Sequence, residues 1–506
     1  MSSTVSARKQ IAYLGLSQPA LQAIGVVASL VLARNLQPRD YGVVAMAMGF
    51  TGVFATLSSL GLGEASAQKR DLLEEEASSL FWLNVATGLA LAIACIGIGP
   101  ILRWYFGEPA VAVVAAWAGV AIVLGALASQ HRVRIVRDGR YGSVAAIELL
   151  AQLMAASAAI LAAVAGYGWR ALVVLFVVQG FVRCAGVWLA SGWRPGWFSR
   201  ESIPGDTVKL GVAIMSGWLL MSVTGAAESA FLGRIAGAHD LGLYSRAMQT
   251  ARYPVILFVL PAFLPAVHRL GQRQDDRTDM GRELLRIQGW LLVLVSLPFG
   301  ILGGCASDLV PLVMGEQWTP SVLFLHLLLP GVFALALVNL SIWSLTAAAS
   351  RRRLVQFQAL STLVPAAAVA CGAAVAGALG TSLAYSVVML AIVTPVGIIW
   401  AAHETGLHPL VLGKSILPAV AIAVATWLAA AGAAWTVASY ALGGRALCVA
   451  AGLSAGSVSW LLAARLWRRP ILREVLETVF STTRLTGSRV ADTLMKWCAP
   501  EVGELR

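Results

Sequence analysis

The chain has 506 residues, 58% of them apolar and only 12% charged, with a formal net charge of +12 at pH 7. A soluble globular domain carries about a quarter charged residues, so this composition excludes one and indicates an integral membrane protein. The basic residues lie in short segments between apolar runs, which is the pattern of membrane orientation and excludes nucleic acid as the reason for the excess.

The first stretch, "MSSTVSARKQIAYLGLSQPALQAIGVVASLVLAR", has a basic flank like a signal peptide. Its apolar run exceeds the roughly 7 to 15 residues of a cleavable core, so it reads as an uncleaved first span. A spanning helix needs about 20 mostly apolar residues, and about fourteen windows qualify. They are 11–33, 42–63, 78–102, 110–130, 143–165, 169–190, 208–236, 241–268, 284–306, 320–348, 355–377, 380–402, 413–438 and 445–466. The runs are unbroken and rich in Ala and Leu, without the alternation of a membrane barrel, so the fold class is all-α and polytopic. The six cysteines are scattered, without a C-x-x-C pair or metal spacing, and read as packing residues.

With the N-terminus inside, the even-numbered connections carry basic clusters: Arg132, Arg134, Arg137 and Arg140; Arg269, Arg273, Arg277, Arg282 and Arg286; Arg351, Arg352 and Arg353. The odd-numbered connections are nearly bare, which places both termini in the cytoplasm.

The chain also repeats itself. "LARNLQPRDYGVVAMAM" (Leu32 to Met48) and "LGRIAGAHDLGLYSRAM" (Leu232 to Met248) share Leu, Arg, Asp, Gly and Ala-Met at an offset of 200. "FGEPA" after span three echoes "MGEQW" after span nine, so six spans make one repeat. An even number of spans per copy relates the copies by an axis along the membrane normal, and two such lobes enclose a midplane cleft that opens alternately to each side. The expected organisation is an N-terminal lobe 1–206, a second lobe 207–405, two further spans 406–466, and a tail 467–506. In the tail, "ILREVLETVF" gathers its apolar residues on one helical face behind Arg468 and Arg469, which suits a helix lying on the anionic inner leaflet or docking a cytoplasmic enzyme.

"YSRAMQTARYP" holds the residues of greatest interest. Arg246, Gln249 and Arg252 are three apart on one helix and form a polar stripe, with Arg252 about 16 Å into the span. A charge at that depth costs about 2.5 to 3.5 kcal/mol on insertion scales and marks a functional site by default. Two guanidinium forks on one stripe suit a diphosphate. Arg246 alone also reads as an end residue snorkelling to the surface, and Arg252 as one half of an ion pair with Glu228. Glu228 is the only acid placed well inside a span, a candidate proton- or cation-coupling site. Gln18 and Gln22, beside Pro19, form a polar stripe on the first span that either lines the cleft or bonds the backbone freed by the proline. Arg34 and Arg234, related by the repeat, sit at the outer ends of spans one and seven, as anion contacts or interfacial anchors. Asp40 and Asp240 read as helix N-caps.

Two motifs fail. "GLHPLVLGKS" ends like a nucleotide-binding loop but has His408 where glycine is required, and the six histidines show no metalloprotease or acyltransferase spacing.

Five segments, "LARNLQPRDYG", "LGLGEASAQKRDLLEEEASSLFWLN", "SGWRPGWFS", "FLGRIAGAHDLGLYSRAMQTARYP" and "MGEQW", together resemble Wzx-type polysaccharide flippases of the polysaccharide transporter family. That family lies within the multidrug/oligosaccharidyl-lipid/polysaccharide (MOP) exporter superfamily, and the resemblance runs from about residue 10 to about residue 400. It implies two six-helix lobes plus two helices in a bacterial inner membrane, and a cleft that turns over undecaprenyl-diphosphate-linked oligosaccharide. Partners are that lipid, the surrounding membrane lipids and polysaccharide-synthesis enzymes, with no cofactor and no bond made or broken. Glu228 stands where the family often has Asp. A cation-coupled drug exporter of the same superfamily would set acids rather than arginines in its cleft. A polymerase or acyltransferase would group its catalytic residues in a sizeable outer loop, and the outer connections here are short.

Overall fold

In the computed structural model every element among the described residues is helical. Those residues are 21–58, 72–200, 225–440 and 444–482, with isolated positions between 62 and 69 and between 202 and 222; side chains are described as far as Leu466. The chain runs through α1 (Leu21–Asn35), α2 (Pro38–Ser58), α3 (Glu74–Phe106), α4 (Pro109–Arg137), α5 (Tyr141–Val164) and α6 (Trp169–Ser191). It continues with α7 (Gly225–Gly271), α8 (Arg277–Met314), α9 (Ser321–Ala347), α10 (Arg351–Glu404), α11 (Pro409–Ser439) and α12 (Arg445–Thr482).

Eleven of these helices are long and apolar enough to cross a membrane; α1 is shorter in its described part. Two of them double back on themselves. α7 turns at Gly237, with φ +80°, and α10 at Ala376 and Gly377, with Gly377 at φ +56°, so each supplies two of the expected spans. Glycine takes that left-handed backbone without the Cβ penalty, which is why the hairpins turn there. α12 runs unbroken from the last window through the amphipathic stretch to Thr482; the rest of the tail lies outside the described residues.

By compactness the chain forms two units, residues 1–245 with 366–381, and residues 246–365 with 382–506. This division by contact differs from the division by sequence repeat, because residues 225–245 of the second copy pack against α2 of the first.

In the first unit that packing is reciprocal. A Cβ placed on Gly42 would lie 1.6 Å from the carbonyl oxygen of Ala238, and one placed on Gly242 would lie 1.8 Å from that of Pro38. Pro38 and Ala238, like Gly42 and Gly242, are separated by 200 residues, so the two copies of the repeated segment meet through the same pair of positions. Helices in lipid associate through close backbone approach at small residues, and here the approach leaves no room for a methyl group. Deeper along the same contact, Ser229 donates to the Ala45 carbonyl at 3.0 Å and Thr56 pairs with Ser222 at 2.9 Å.

Asp40 corrects one expectation. α2 starts at Pro38, so Gln37 is the cap and Asp40 lies in the first turn. Its carboxylate accepts from the Gln37 N–H at 2.9 Å and from the Trp169 N–H at 2.9 Å, tying the starts of α2 and α6 together. Proline at the first helical position, where its missing N–H is harmless, moves the cap three residues earlier than the aspartate suggested. Arg39 pairs with Glu108 at 2.8 Å at the same end.

The opposite end of the first unit carries the basic cluster, now paired: Arg134 with Glu74, and Lys69 with Glu76 at 2.6 Å. The segment after α6 lies along the start of α3. Trp193 donates to Glu74 at 2.8 Å, the Gly196 N–H to Ser78 at 2.9 Å, and Trp82 to the Gly196 carbonyl at 2.9 Å.

In the second unit, Arg269 meets the buried carboxylate of Glu283 at 2.7 Å and Arg353 meets Glu404 at 2.7 Å. α8 is the central helix there. Cβ atoms on Gly300 and Gly304 would lie 2.6 Å and 2.7 Å from Thr426 and Ala430 of α11, and Trp460 of α12 donates to the Val293 carbonyl at 2.9 Å.

The glycine crossing yields an internal comparison. Gly42→Ala and Gly242→Ala should each lower the thermal stability of the purified protein, at about 1 to 3 kcal/mol for an overpacked contact. Gly52→Ala in the same helix, where a Cβ meets nothing within 4 Å, should cost nothing or gain up to about 1 kcal/mol of helix propensity. Equal behaviour of all three would mean the crossing is not close-packed.

Candidate functional site

In the second unit, Arg246 is buried, 3% exposed. Its guanidinium lies 5.8 Å above the ring of the fully buried Trp318, and its Nη1 donates to Gln249 Oε1 at 2.7 Å. It is therefore not an end residue snorkelling to the surface. Trp318 belongs to "MGEQW", so two of the five segments singled out in the sequence meet at this contact. A cation above an indole face is attracted by the ring quadrupole, and the attraction grows when water is excluded.

Gln249 is exposed and Arg252 half-buried, with its Nε in the interior. The stripe thus passes from the packed core at Arg246 to the surface at Gln249. Immediately after Arg252 the backbone departs from the α form. Pro254 is followed by a π turn at Val255–Val259 and a 3-10 turn at Leu260–Ala262 containing Pro261. Proline lacks the N–H that the helix would use and its ring crowds the carbonyl four residues earlier, so the ladder reorganises there.

In the first unit, Glu228 is half-buried with its Oε1 atom enclosed, and it opens another π turn, Glu228–Leu232. Arg234 is exposed, 5.7 Å above the ring of Tyr105, whose hydroxyl donates to the Ala230 carbonyl at 3.3 Å. Arg34 and Gln22 are exposed on α1, and Gln18 lies outside the described residues. The expected residues therefore fall into two groups, with Arg246, Gln249 and Arg252 in one unit and Glu228, Arg234, Arg34 and Gln22 in the other.

The structure adds polar residues that sequence reasoning passed over. Glu148 is a second acid within a span, seven residues into α5, and it accepts from Arg183 of α6 at 2.8 and 2.9 Å, with Arg132 at 4.0 Å. One turn deeper, Gln179 donates to Gln152 at 2.6 Å. Glu148 with Gln152 and Gln179 with Arg183 are each four apart, a spacing that marks a single helical face. Asp308, six residues before the end of α8, is a further half-buried acid.

The family described as "Polysaccharide biosynthesis protein" matches residues 31–323. The chain is similar to the succinoglycan biosynthesis transport protein ExoT of Rhizobium meliloti, 26% identical over 327 residues, 63% of this chain and 65% of that protein. It is also similar to the lipopolysaccharide biosynthesis protein WzxC of Escherichia coli, 25% identical over 382 residues, 72% of this chain and 75% of that one. The match thus spans just under two thirds of the first relative's length. Among solved structures, the lipid II flippase MurJ in an inward closed conformation superposes with a TM-score of 0.71 at 12% identity, covering 91% of this chain and all of that one. An inward-facing multidrug resistance MATE family transporter of the MOP superfamily superposes with a TM-score of 0.60 at 13% identity, covering 79% of this chain and 99% of that one. These two establish the fold.

The contact between Arg246 and Trp318 is open to measurement. A double-mutant cycle of Arg246→Gln with Trp318→Leu, read by unfolding of the purified protein, should give a coupling of about 1 to 2 kcal/mol. Strict additivity would show that ring and guanidinium act separately.

Proposed function

Because the chain belongs to the polysaccharide biosynthesis protein family, matched over residues 31–323, we propose that it is a flippase for undecaprenyl-diphosphate-linked oligosaccharide. It moves these units from the cytoplasmic to the periplasmic leaflet of the bacterial inner membrane, for exopolysaccharide, capsule or O-antigen. Relatives named as a succinoglycan biosynthesis transport protein and a lipopolysaccharide biosynthesis protein support this substrate class. The observation that carries it is the half-buried Arg252, held in a span beside a backbone broken by Pro254 and a π turn. An arginine persists at that depth when an anion offsets the cost of leaving water. A lipid diphosphate supplies one, and the planar fork binds its oxygens in pairs.

In this role Arg252 and Gln249 contact the diphosphate, while Arg246, anchored on Trp318, fixes the position of Gln249 and adds to the positive field. Arg34 and Arg234 receive or release the anion at the periplasmic side, with Gln18 and Gln22 lining the path. The lobes 1–206 and 207–405 rock against each other about the axis that relates them, with 406–466 attached and the tail from 467 in the cytoplasm beside both termini. Glu228 serves as the coupling carboxylate. No covalent step is involved, since the lipid and its sugar cross unchanged.

Two export experiments follow. Arg252→Ala, at normal abundance in the membrane, should reduce surface polymer to the level of a strain lacking the gene, while Arg252→Lys, which keeps the charge but loses the fork, should retain part of it. Full secretion by Arg252→Ala would remove that residue from the site. Glu228→Gln should make transport in vesicles indifferent to an imposed ion gradient; an undiminished response would remove Glu228 as the coupling group.

A further inference from the structure

The polar ladder between α5 and α6 belongs to neither group of residues assigned to the diphosphate, and one of its rungs is incompletely used. We propose that Glu148, Gln152, Gln179 and Arg183 form a subsite for the sugar, taking the hydroxyl groups of the oligosaccharide. The inference rests on the transport role proposed above and assigns the glycan a place within it.

The ladder follows from helix geometry. α5 and α6 run antiparallel, so four residues forward from Glu148 to Gln152 match four residues back from Arg183 to Gln179. Glu148 is about 10 Å and Gln152 about 16 Å along α5 from Tyr141, while Arg183 and Gln179 are about 12 Å and 18 Å from the end of α6. In a hydrocarbon core about 30 Å thick, these groups reach from one third of the depth to the middle.

At that depth exposure has consequences. The Glu148 side chain is 20% exposed and that of Arg183 is 36% exposed, and both glutamines are only partly buried. The bond at 2.6 Å uses one Gln179 N–H and the Gln152 oxygen. By the inventory of a primary amide, Gln152 keeps two N–H donors, and Gln179 keeps its carbonyl oxygen and a second N–H. Leaving such groups against acyl chains costs several kcal/mol each, so this face meets water or a polar ligand instead.

The residue opposite is a glycine. A Cβ on Gly25 of α1 would lie 3.6 Å from Gln152 Nε2, an ordinary contact, so a larger side chain at that position would cover the amide. Successive rungs stand about 6 Å apart and offer donors and acceptors together. A sugar ring carries neighbouring hydroxyls that each donate and accept, and it fits such an alternation. Arg183 is neutralised by Glu148, so the ladder is poorly suited to a diphosphate and well suited to an uncharged glycan.

The test measures binding to the full-length protein in lipid nanodiscs with two probes, undecaprenyl diphosphate and the same lipid carrying a disaccharide. Wild type should bind the glycosylated lipid more tightly. Gln152→Leu with Gln179→Leu should lose that advantage, a fall of about tenfold for one or two hydrogen bonds, with affinity for the bare lipid unchanged. Gly25→Leu, which leaves the ladder's bonds intact and covers the amide, should do the same, and it carries the test if the double variant fails to fold. An equal loss for both probes, or none for either, would overturn the subsite and leave the ladder as a clamp between two helices. Binding of neither probe by wild type would overturn the transport role and the subsite with it. Binding of both with equal affinity would overturn the subsite alone.

Discussion

The low polarity of the bilayer interior governs this molecule. Water is absent there, so every backbone group must be satisfied within the fold, and every charged or amide side chain must find a partner, a ligand or a hydrated face. Helices meet the first demand on their own. The second is met by contacts between helices, and it makes polar residues inside spans the most informative positions in the chain. Glu148 with Arg183, Gln152 with Gln179, and Arg246 with Gln249 and Trp318 are three local answers to the same constraint. Glu283, buried between Arg269 and Arg273, is a fourth, at a helix end.

What could be read from the sequence was what depends on one helix at a time. Apolar run length located the spans, and basic connections suggested an orientation. The offset of 200 residues identified Gly42 and Gly242 as equivalents before their contact was known. What could not be read was pairing across helices. Arg246 gives no sign in its own segment that a tryptophan more than seventy residues later lies beneath it. Asp40 looked like a cap because it precedes an apolar run, whereas Pro38 had already begun the helix and freed the aspartate to hold the start of α6. Glu148 was passed over because it lies near a span end, where an acid is unremarkable until its partner on α6 is seen.

The irregular turns in the spans share a location with chemistry. One begins at Glu228, another follows Arg252 within three residues, and a third, Met389–Val393, interrupts the second half of α10. A π turn widens the helix and loosens its hydrogen-bond ladder, so a helix carrying one bends there at lower cost than elsewhere. Two of the three turns stand beside a charged residue in a span, so the points of compliance and the charged positions coincide there.

The paired glycines of α2 and α7 bear on the origin of the chain. A contact in which position 42 touches the repeat equivalent of 38 while the equivalent of 42 touches 38 is the isologous interface of a twofold dimer, written into one polypeptide. In a half-length ancestor a single codon would have supplied both glycines, and any change to it would have struck both sides of the interface at once. In one polypeptide the two positions are set separately: "DYG" and "DLG" differ in their middle residue, while the glycine, pressed against a neighbouring carbonyl, stands in both.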